Sequence, residues 1–308
     1  MGRALGVSDQ GRRRALVVGD VIDDIIVVPQ GPIRPDTDTT ASISRHPGGS
    51  AGNTAAWLGW LGAPVDVVGR VAASDVERHA AVFRALGATP HLQADPDRPT
   101  GTIVIVVEDE TRTMLTDRGA NAGLDAGAID DALLGAAGVL HLTGYSLFDA
   151  FTLDDLAALT ARARAAGVTV TFDPGSTGFI ADYGLERFRR ALAHVDVLLP
   201  NLDEGRLLSG CDDRDAVADA LLEHCPAVVI TGGRASVLVA RRGEPAIEVA
   251  VRARRAVDPT GAGDAFTAGL IEALLRGAPL VQAAEAGVLC AGSAVMQPGG
   301  RPPVVADR

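Results

Sequence analysis

Lysine is absent from this chain, in which all 28 basic residues among 308 are arginine. A phosphate-gripping P-loop lysine, a Schiff-base lysine and a lysine general base are therefore excluded. Cysteine is scarce: Cys211, Cys225 and Cys290 are odd in number, widely spaced and outside any Cys-x-x-Cys pattern. That argues against a disulfide framework and a thiolate metal site, and three buried thiols in a reducing compartment are expected. The histidines, His46, His79, His91, His141, His194 and His224, show no His-x-x-x-His spacing that would suggest a metal centre. No apolar run reaches the roughly 18 residues that span a bilayer, and residues 1–14 carry arginines without the hydrophobic stretch of a signal peptide. The expectation is a cytoplasmic protein with a disordered start over residues 1–14, ending at Arg12-Arg13-Arg14. Positive charge is in deficit as well, with 39 acidic against 28 basic residues and a net charge of −11. With no cationic excess to replace counterions, neither nucleic acid nor an anionic membrane is an expected partner, and an anionic ligand needs a local site.

What is present is a globular composition, 47% hydrophobic and 22% charged, with 36 glycines and 17 prolines. Short β-branched runs at 15–19, 65–69, 138–142, 168–172, 195–199 and 227–231 alternate with stretches of helical period at 51–61, 74–86, 152–166, 214–223, 262–276 and 280–296. Several of these helices close on glycine, at Gly62, Gly87, Gly167 and Gly277. The alternation predicts an α/β fold, a doubly wound, mainly parallel sheet with helices on both faces. Two segments break it. Residues 25–46 and 98–118 carry Thr, Val and Ile runs with no room for a helix, the second reading as a hairpin that turns at Glu108-Asp109-Glu110. They predict a small β lid of the kind that excludes water from a reactive site. No repeat or linker divides residues 15–303, so a single domain with a tail at 304–308 is expected.

The chemistry concentrates in Asp258-Pro259-Thr260-Gly261-Ala262-Gly263-Asp264-Ala265-Phe266, which follows a strand-like run and enters an amphipathic helix. Glycines at 261 and 263 bare the backbone N–H groups at a positive helix end, so a phosphate can sit there without lysine. A carboxylate beside it, Asp264, is placed to accept a proton from an attacking hydroxyl. Taken alone, the same residues also read as a tight turn with a stabilising acid in the first helical turn.

This string resembles the second signature of the ribokinase-like (PfkB) carbohydrate and nucleoside kinases, and other segments agree in order over residues 15–303. Gly19-Asp20-Val21-Ile22-Asp23-Asp24 is similar to the family's first strand, and Gly48-Gly49-Ser50-Ala51-Gly52-Asn53 to its first signature. Asn201-Leu202-Asp203-Glu204 matches Asn-x-x-Glu, Thr231-Gly232-Gly233 matches the Thr-x-Gly turn, and Arg118-Gly119-Ala120-Asn121 falls after the lid hairpin. The resemblance implies an ATP-dependent phosphotransferase acting on a primary hydroxyl of a small sugar, or of an adenosine-like nucleoside. It implies Asp264 as general base, an anion hole from the amides of Gly261, Ala262 and Gly263, and substrate contacts at Asp24, Gly48, Gly49 and Asn53. It further implies a nucleotide site at Asn201, Glu204, Thr231, Gly233, Gly261 and Gly263. Mg²⁺ would be held through Glu204 by way of water, and a monovalent cation such as K⁺ by Asp258 and the Thr260 carbonyl. Ser236 stands where many relatives have a second glycine, and Tyr145 near where sugar-specific relatives carry an acid, so plain ribose is not the expected acceptor.

Read without the resemblance, Asn201 and Glu204 form a helix-capping pattern, and Gly48 and Gly49 a turn before a helix. Asp24 is expected to need a buried partner, whereas Asp20 and Asp23 are expected at the strand end or in solvent. Arg112 and Arg118 flank the hairpin and are expected to be solvated. Gly48-Gly49-Ser50-Ala51-Gly52 also fits the Gly-x-Ser-x-Gly elbow of serine hydrolases, with Ser50 as nucleophile and His141 or His194 as base. A non-catalytic sugar or nucleotide sensor is a third reading, against which Asp264 speaks. Free lid edges predict a homodimer through the lid.

Overall fold

Alternate residues of single strands feed two different cores. In Arg14–Val18, Ala15 and Val17 join one hydrophobic cluster while Leu16 and Val18 join another, and Ala227–Ile230 divides in the same way. Strands buried on both faces need no polar alternation, which is why they read as continuous apolar runs.

The computed structural model describes residues 13–108, 111–251, 257–297 and 299–303. Its first half comprises β1 (Arg14–Val18), β2 (Ile22–Pro29), β3 (Ala41–Gly48), α1 (Ser50–Trp60), β4 (Val65–Ala72), α2 (Val76–Ala85), β5 (Thr89–Asp95), β6 (Gly101–Glu108), β7 (Thr111–Asp117), α3 (Asp131–Ala136) and β8 (Ala137–Thr143). Then come α4 (Tyr145–Asp149), α5 (Leu153–Ala165), β9 (Thr169–Asp173), α6 (Thr177–Tyr183), α7 (Leu185–Leu192), β10 (Val197–Leu198), α8 (Leu202–Ser209) and α9 (Arg214–Leu222). The chain closes with β11 (Ala227–Ile230), β12 (Val237–Arg241), β13 (Ile247–Val249), α10 (Ala262–Leu275) and α11 (Leu280–Ala294).

The large sheet has the order β13-β12-β11-β10-β9-β8-β1-β4-β5. From β11 to β5 neighbouring strands are parallel, and β12 and β13 add an antiparallel edge. Helices α1, α10 and α11 cover one face through Ala55, Leu270 and Ala283, and α5, α7 and α9 the other through Leu159, Phe188 and Val217. Because the chain departs from β1 toward both edges, a crevice opens at the carboxyl ends of the central strands.

The lid is a separate four-stranded sheet, β3-β2-β6-β7. Two hairpins are joined by parallel pairing of β2 with β6, which starts at Ile22 opposite Gly101. The expected turn residues Asp109 and Glu110 lie outside the described residues, as do residues 1–12 of the expected disordered start and the tail 304–308. Arg14 departs from expectation, because it opens β1 and its guanidinium meets the Asp66 carboxylate and, at 3.0 Å, the Thr89 hydroxyl. The sequence pattern also missed β5. Its Pro90 is tolerated because β5 is an edge strand, with no outer neighbour demanding an N–H.

Candidate active site

The Gly-rich string places its acid at the start of α10. Gly261 caps the helix with φ 71°, and a Cβ there would stand 2.5 Å from Gly300 Cα and O, so only glycine fits. The first bond into α10 runs from the Ala265 N–H to Gly261 O at 2.9 Å. The preceding amides of Gly263 and Asp264 therefore have no helical acceptor. Space around Gly263 is open, with no atom within 4 Å of where a Cβ would be. Ala262 was expected to share this cradle, but its N–H donates to Pro259 O at 3.2 Å. The turn consumes that donor and leaves the amides of Gly261 and Gly263.

Asp264 is clamped from α1. Its Oδ1 accepts from Ser50 Oγ at 2.8 Å and its Oδ2 from Asn53 Nδ2 at 2.9 Å. Burial pushes its carboxyl up to about 7, opposed by those two bonds and reinforced by Asp20 and Asp24. An acid that ionises near neutrality suits general-base work.

Asp24 lies on β2 over the same cavity, which has a volume of about 290 Å³. Burial raises it to about 6, with Arg301 working in the opposite direction. Gly48 is glycine because a Cβ would collide with the Asp24 carboxylate, and Gly49, at φ 88°, because one would collide with Asp20 O. Asp20 and Asp23 are both 4% exposed rather than solvent-facing. Asp20 accepts from the Ser50 amide at 2.7 Å and from Thr143 Oγ1 at 3.0 Å, which fixes the start of α1. Asp23 takes both arms of the Arg78 guanidinium, at 2.8 and 2.7 Å.

On the opposite wall, Asn201 and Glu204 form a complete capping box at the start of α8. They also line the cavity together with Asp173 and Thr231. Glu204 is 4% exposed. Burial raises both Glu204 and Asp173, and each acid is raised further by a neighbouring carboxylate, Glu204 by Asp173 and Asp173 by Asp264. Thr231 bridges to Asn201, whereas Gly233 sits in the following turn, with φ 62°, and does not line the cavity.

A family model described as pfkB family carbohydrate kinase matches residues 12–307. The chain belongs to that family. The chain is 28% identical over 300 residues to the bifunctional protein HldE of Shewanella sp. (strain MR-4), a match covering 92% of this chain and 60% of that protein. It thus spans about 60% of the length of the curated relatives it matches. Its fold superposes on the adenosine kinase of Sinorhizobium meliloti with a TM-score of 0.84 at 25% identity, covering 95% of this chain and 96% of that one. A putative Ribokinase II from E. coli, in complex with ATP and Mg²⁺, superposes with a TM-score of 0.80 at 20% identity over 94% of each chain.

Neither lid arginine is simply solvated. Arg112 donates to Asp258 Oδ1 at 2.7 Å and to Thr260 Oγ1 at 2.6 Å. Arg118 pairs with Asp149 at 3.0 Å and donates to Tyr145 O at 2.5 Å, at the edge of the cavity. Of the expected monovalent-cation ligands, Asp258 is thereby engaged otherwise, whereas at Thr260 it is the hydroxyl and not the carbonyl that Arg112 meets. Asp258 also accepts from the Thr260 amide through Oδ1 and the Gly299 amide through Oδ2, each at 2.9 Å, and it faces a guanidinium. The residues present do not fit a cation at Asp258.

For Mg²⁺ the fit is different. No three His, Cys, Asp or Glu side chains converge as a metal cage among the described residues. Magnesium, however, is commonly held by one or two carboxylates plus water and phosphate oxygens. Asp173 and Glu204, two cavity-lining acids raised by burial, the second also by the first, suit an arriving cation.

The elbow reading of Ser50 fails. Ser50 donates to Asp264, His141 is fully buried beside Thr171 Oγ1 at 3.0 Å, and no histidine bonds Ser50 among the described residues. Asp173 and Arg301 escaped the sequence reading, which named Ser50 only as a hydrolase nucleophile and Arg112 only as a solvated arginine. The position of Asp173 at the end of a predicted strand, followed by Pro174-Gly175, was the signal available for it. Ser236, in the place of a second glycine, joins Arg214 Nη1 at 2.7 Å and Glu248 Oε1 at 2.7 Å.

Proposed function

We propose that this kinase transfers the γ-phosphoryl group of ATP to a primary hydroxyl of a small sugar or sugar derivative. The observation that carries the reading is Asp264, held by both Ser50 and Asn53 at the mouth of an anion-binding helix end. In the proposed mechanism Asp264 takes the hydroxyl proton as the oxygen attacks phosphorus. The amides of Gly261 and Gly263 compensate the charge of the transferring group. Asp24 orients the acceptor from the lid side by accepting from its hydroxyls, and Asn53 lies alongside. Bound Mg²⁺ would neutralise phosphate charge, with Asn201, Glu204 and Asp173 as the residues that face it. The E. coli neighbour with ATP and Mg²⁺ supports that pairing.

An adenosine-like nucleoside is the second acceptor class, favoured by the likeness to the S. meliloti enzyme. Incubation with ATP, Mg²⁺ and a panel of sugars, sugar acids and nucleosides, read as the mass gain of one phosphate, decides between the two. A panel that gains no phosphate anywhere overturns both.

Exposed Ile43 and Leu115 on the lid, with β3 and β7 at its open edges, support a homodimer through the lid. Light scattering tests it. No helix among the described residues is long and apolar enough to cross a membrane. Buried Cys225 and Cys290 support a cytoplasmic setting.

A further inference from the structure

The segment after α11 returns to the active site. Gly300 O accepts from Trp57 Nε1 at 2.9 Å, and Arg301 then enters the interior beside α1. Arg301 is 9% exposed and its guanidinium lies 4.8 Å over the Phe83 ring. Its Nη2 donates to Gly48 O at 2.9 Å. Gly52 has no side chain for this reason, since a Cβ there would stand 2.6 Å from Nη2. Burying an arginine is costly unless its charge is answered. Here the answer is a ring of acids, with Asp24, Asp264, Asp23 and Asp20 all attracting it.

The decisive contact is with Asn53. Arg301 Nε donates to Asn53 Oδ1 at 3.2 Å, and Asn53 Nδ2 donates to Asp264 Oδ2 at 2.9 Å. A guanidinium has only donors, so it claims the oxygen of the amide and leaves the NH₂ group for Asp264. The flipped amide would set NH₂ against a cation and oxygen against a carboxylate.

We propose that Arg301 is a positioning residue: by holding the Asn53 carbonyl it commits the Asn53 amide to donate to Asp264, and so fixes the orientation of that carboxylate. This rests on Asp264 being the base of the phosphotransfer. Among the described residues, the groups that face Asp264 are Asp20 before β2, Asp24 on β2, Asp173 at the end of β9 and Tyr145 on α4, against one cation, Arg301. Loss of that cation and of the fixed amide makes Asp264 hold its proton to higher pH.

The test uses Arg301→Met, which keeps bulk over Phe83 without charge, and Arg301→Lys, which keeps charge but can donate to fewer partners. The Asp264 carboxyl titration, followed by ¹³C NMR, needs no turnover. Its midpoint is expected to rise by about one unit in Arg301→Met and by less in Arg301→Lys. With an accepted acceptor, kcat falls about 10- to 100-fold while the KM for ATP stays within about twofold. In an Asn53→Ala background the same Arg301→Met change moves midpoint and kcat little further, because both residues act through one amide. An unchanged midpoint and kcat, or fully additive effects, overturn the proposal.

If Arg301→Met does not fold, the Asn53 side-chain amide of the unmodified protein decides. Protected protons that shift with the Asp264 titration uphold the proposal, and freely exchanging ones that ignore it overturn it. A predicted Asp264 titration without phosphorylation of any acceptor would sink the proposed reaction and leave the positioning role standing.

Discussion

Arg112 on the lid strand β7 donates to Asp258 Oδ1 at 2.7 Å, tying the lid to the loop that opens α10, 146 residues further along the chain. The strand that roofs the cavity and the turn that presents its amides are thereby one mechanical unit.

Arg112→Ala should unfasten the lid without unfolding the protein. The pair is partly exposed, so its loss costs at most about 1 kcal/mol of stability. The KM values for acceptor and ATP should rise roughly tenfold, as expected when a closing element is loosened. Steady-state kinetics set beside a calorimetric melt checks both halves, and unchanged KM values would remove Arg112 from lid closure.

Asp264→Asn should lower turnover by about 10²- to 10⁴-fold, the usual worth of a general base, with nucleotide affinity nearly intact. Asn can keep both side-chain contacts, accepting from Asn53 and donating to Ser50. The variant should also melt no lower than the parent above neutral pH, since it removes a carboxylate that burial destabilises. Calorimetry with nucleotide titration separates lost chemistry from lost folding.

The pH dependences of activity and stability should run in opposite directions. The kcat/KM should rise as pH climbs through about 7, where Asp264 loses its proton. Asp264, Asp173 and Glu204 are all raised by burial above the ordinary carboxyl range. A group raised in this way binds its proton more tightly folded than unfolded. The stability it contributes is complete below the ordinary value and is lost as pH rises through the folded one. The ligand-free protein should therefore melt lower at about pH 8.5 than at about pH 6. Added Mg²⁺ should recover stability chiefly at the higher pH, where Glu204 and Asp173 can meet it ionised. A flat melting curve over that range would mean that these acids are not burdened.

Gly261→Ala tests the bare turn. The new methyl group would meet Gly300 2.5 Å away at a backbone φ of 71°. Left-handed strain and the collision together should cost about 1–3 kcal/mol. The displaced amides should cost turnover more than they cost acceptor binding, as kcat and KM measured separately would reveal.

The residues themselves determined the sheet, the lid and the anion turn. Doubly buried strands announce themselves as unbroken Val, Ile and Leu runs, glycines stop helices by local conformation, and amides at a helix end need no distant partner. Strand β5 went unseen, because edge pairing depends on neighbours that no local pattern contains, and the interior strand β10 pairs with β9 and β11 only over Val197–Leu198. Burial of charge was likewise decided only in three dimensions. Asp20 and Asp23 became interior groups once Ser50, Thr143 and Arg78 arrived to bond them, and Asp258 lost its expected cation to Arg112. Asn53 and Asp264 are 211 residues apart in sequence and Asn53 and Arg301 248, yet they form one hydrogen-bonded line. Sequence supplied the donors and acceptors, but only the packing of α1 against α10 and the returning C-terminal segment determined which donor meets which acceptor and how much water remains between them.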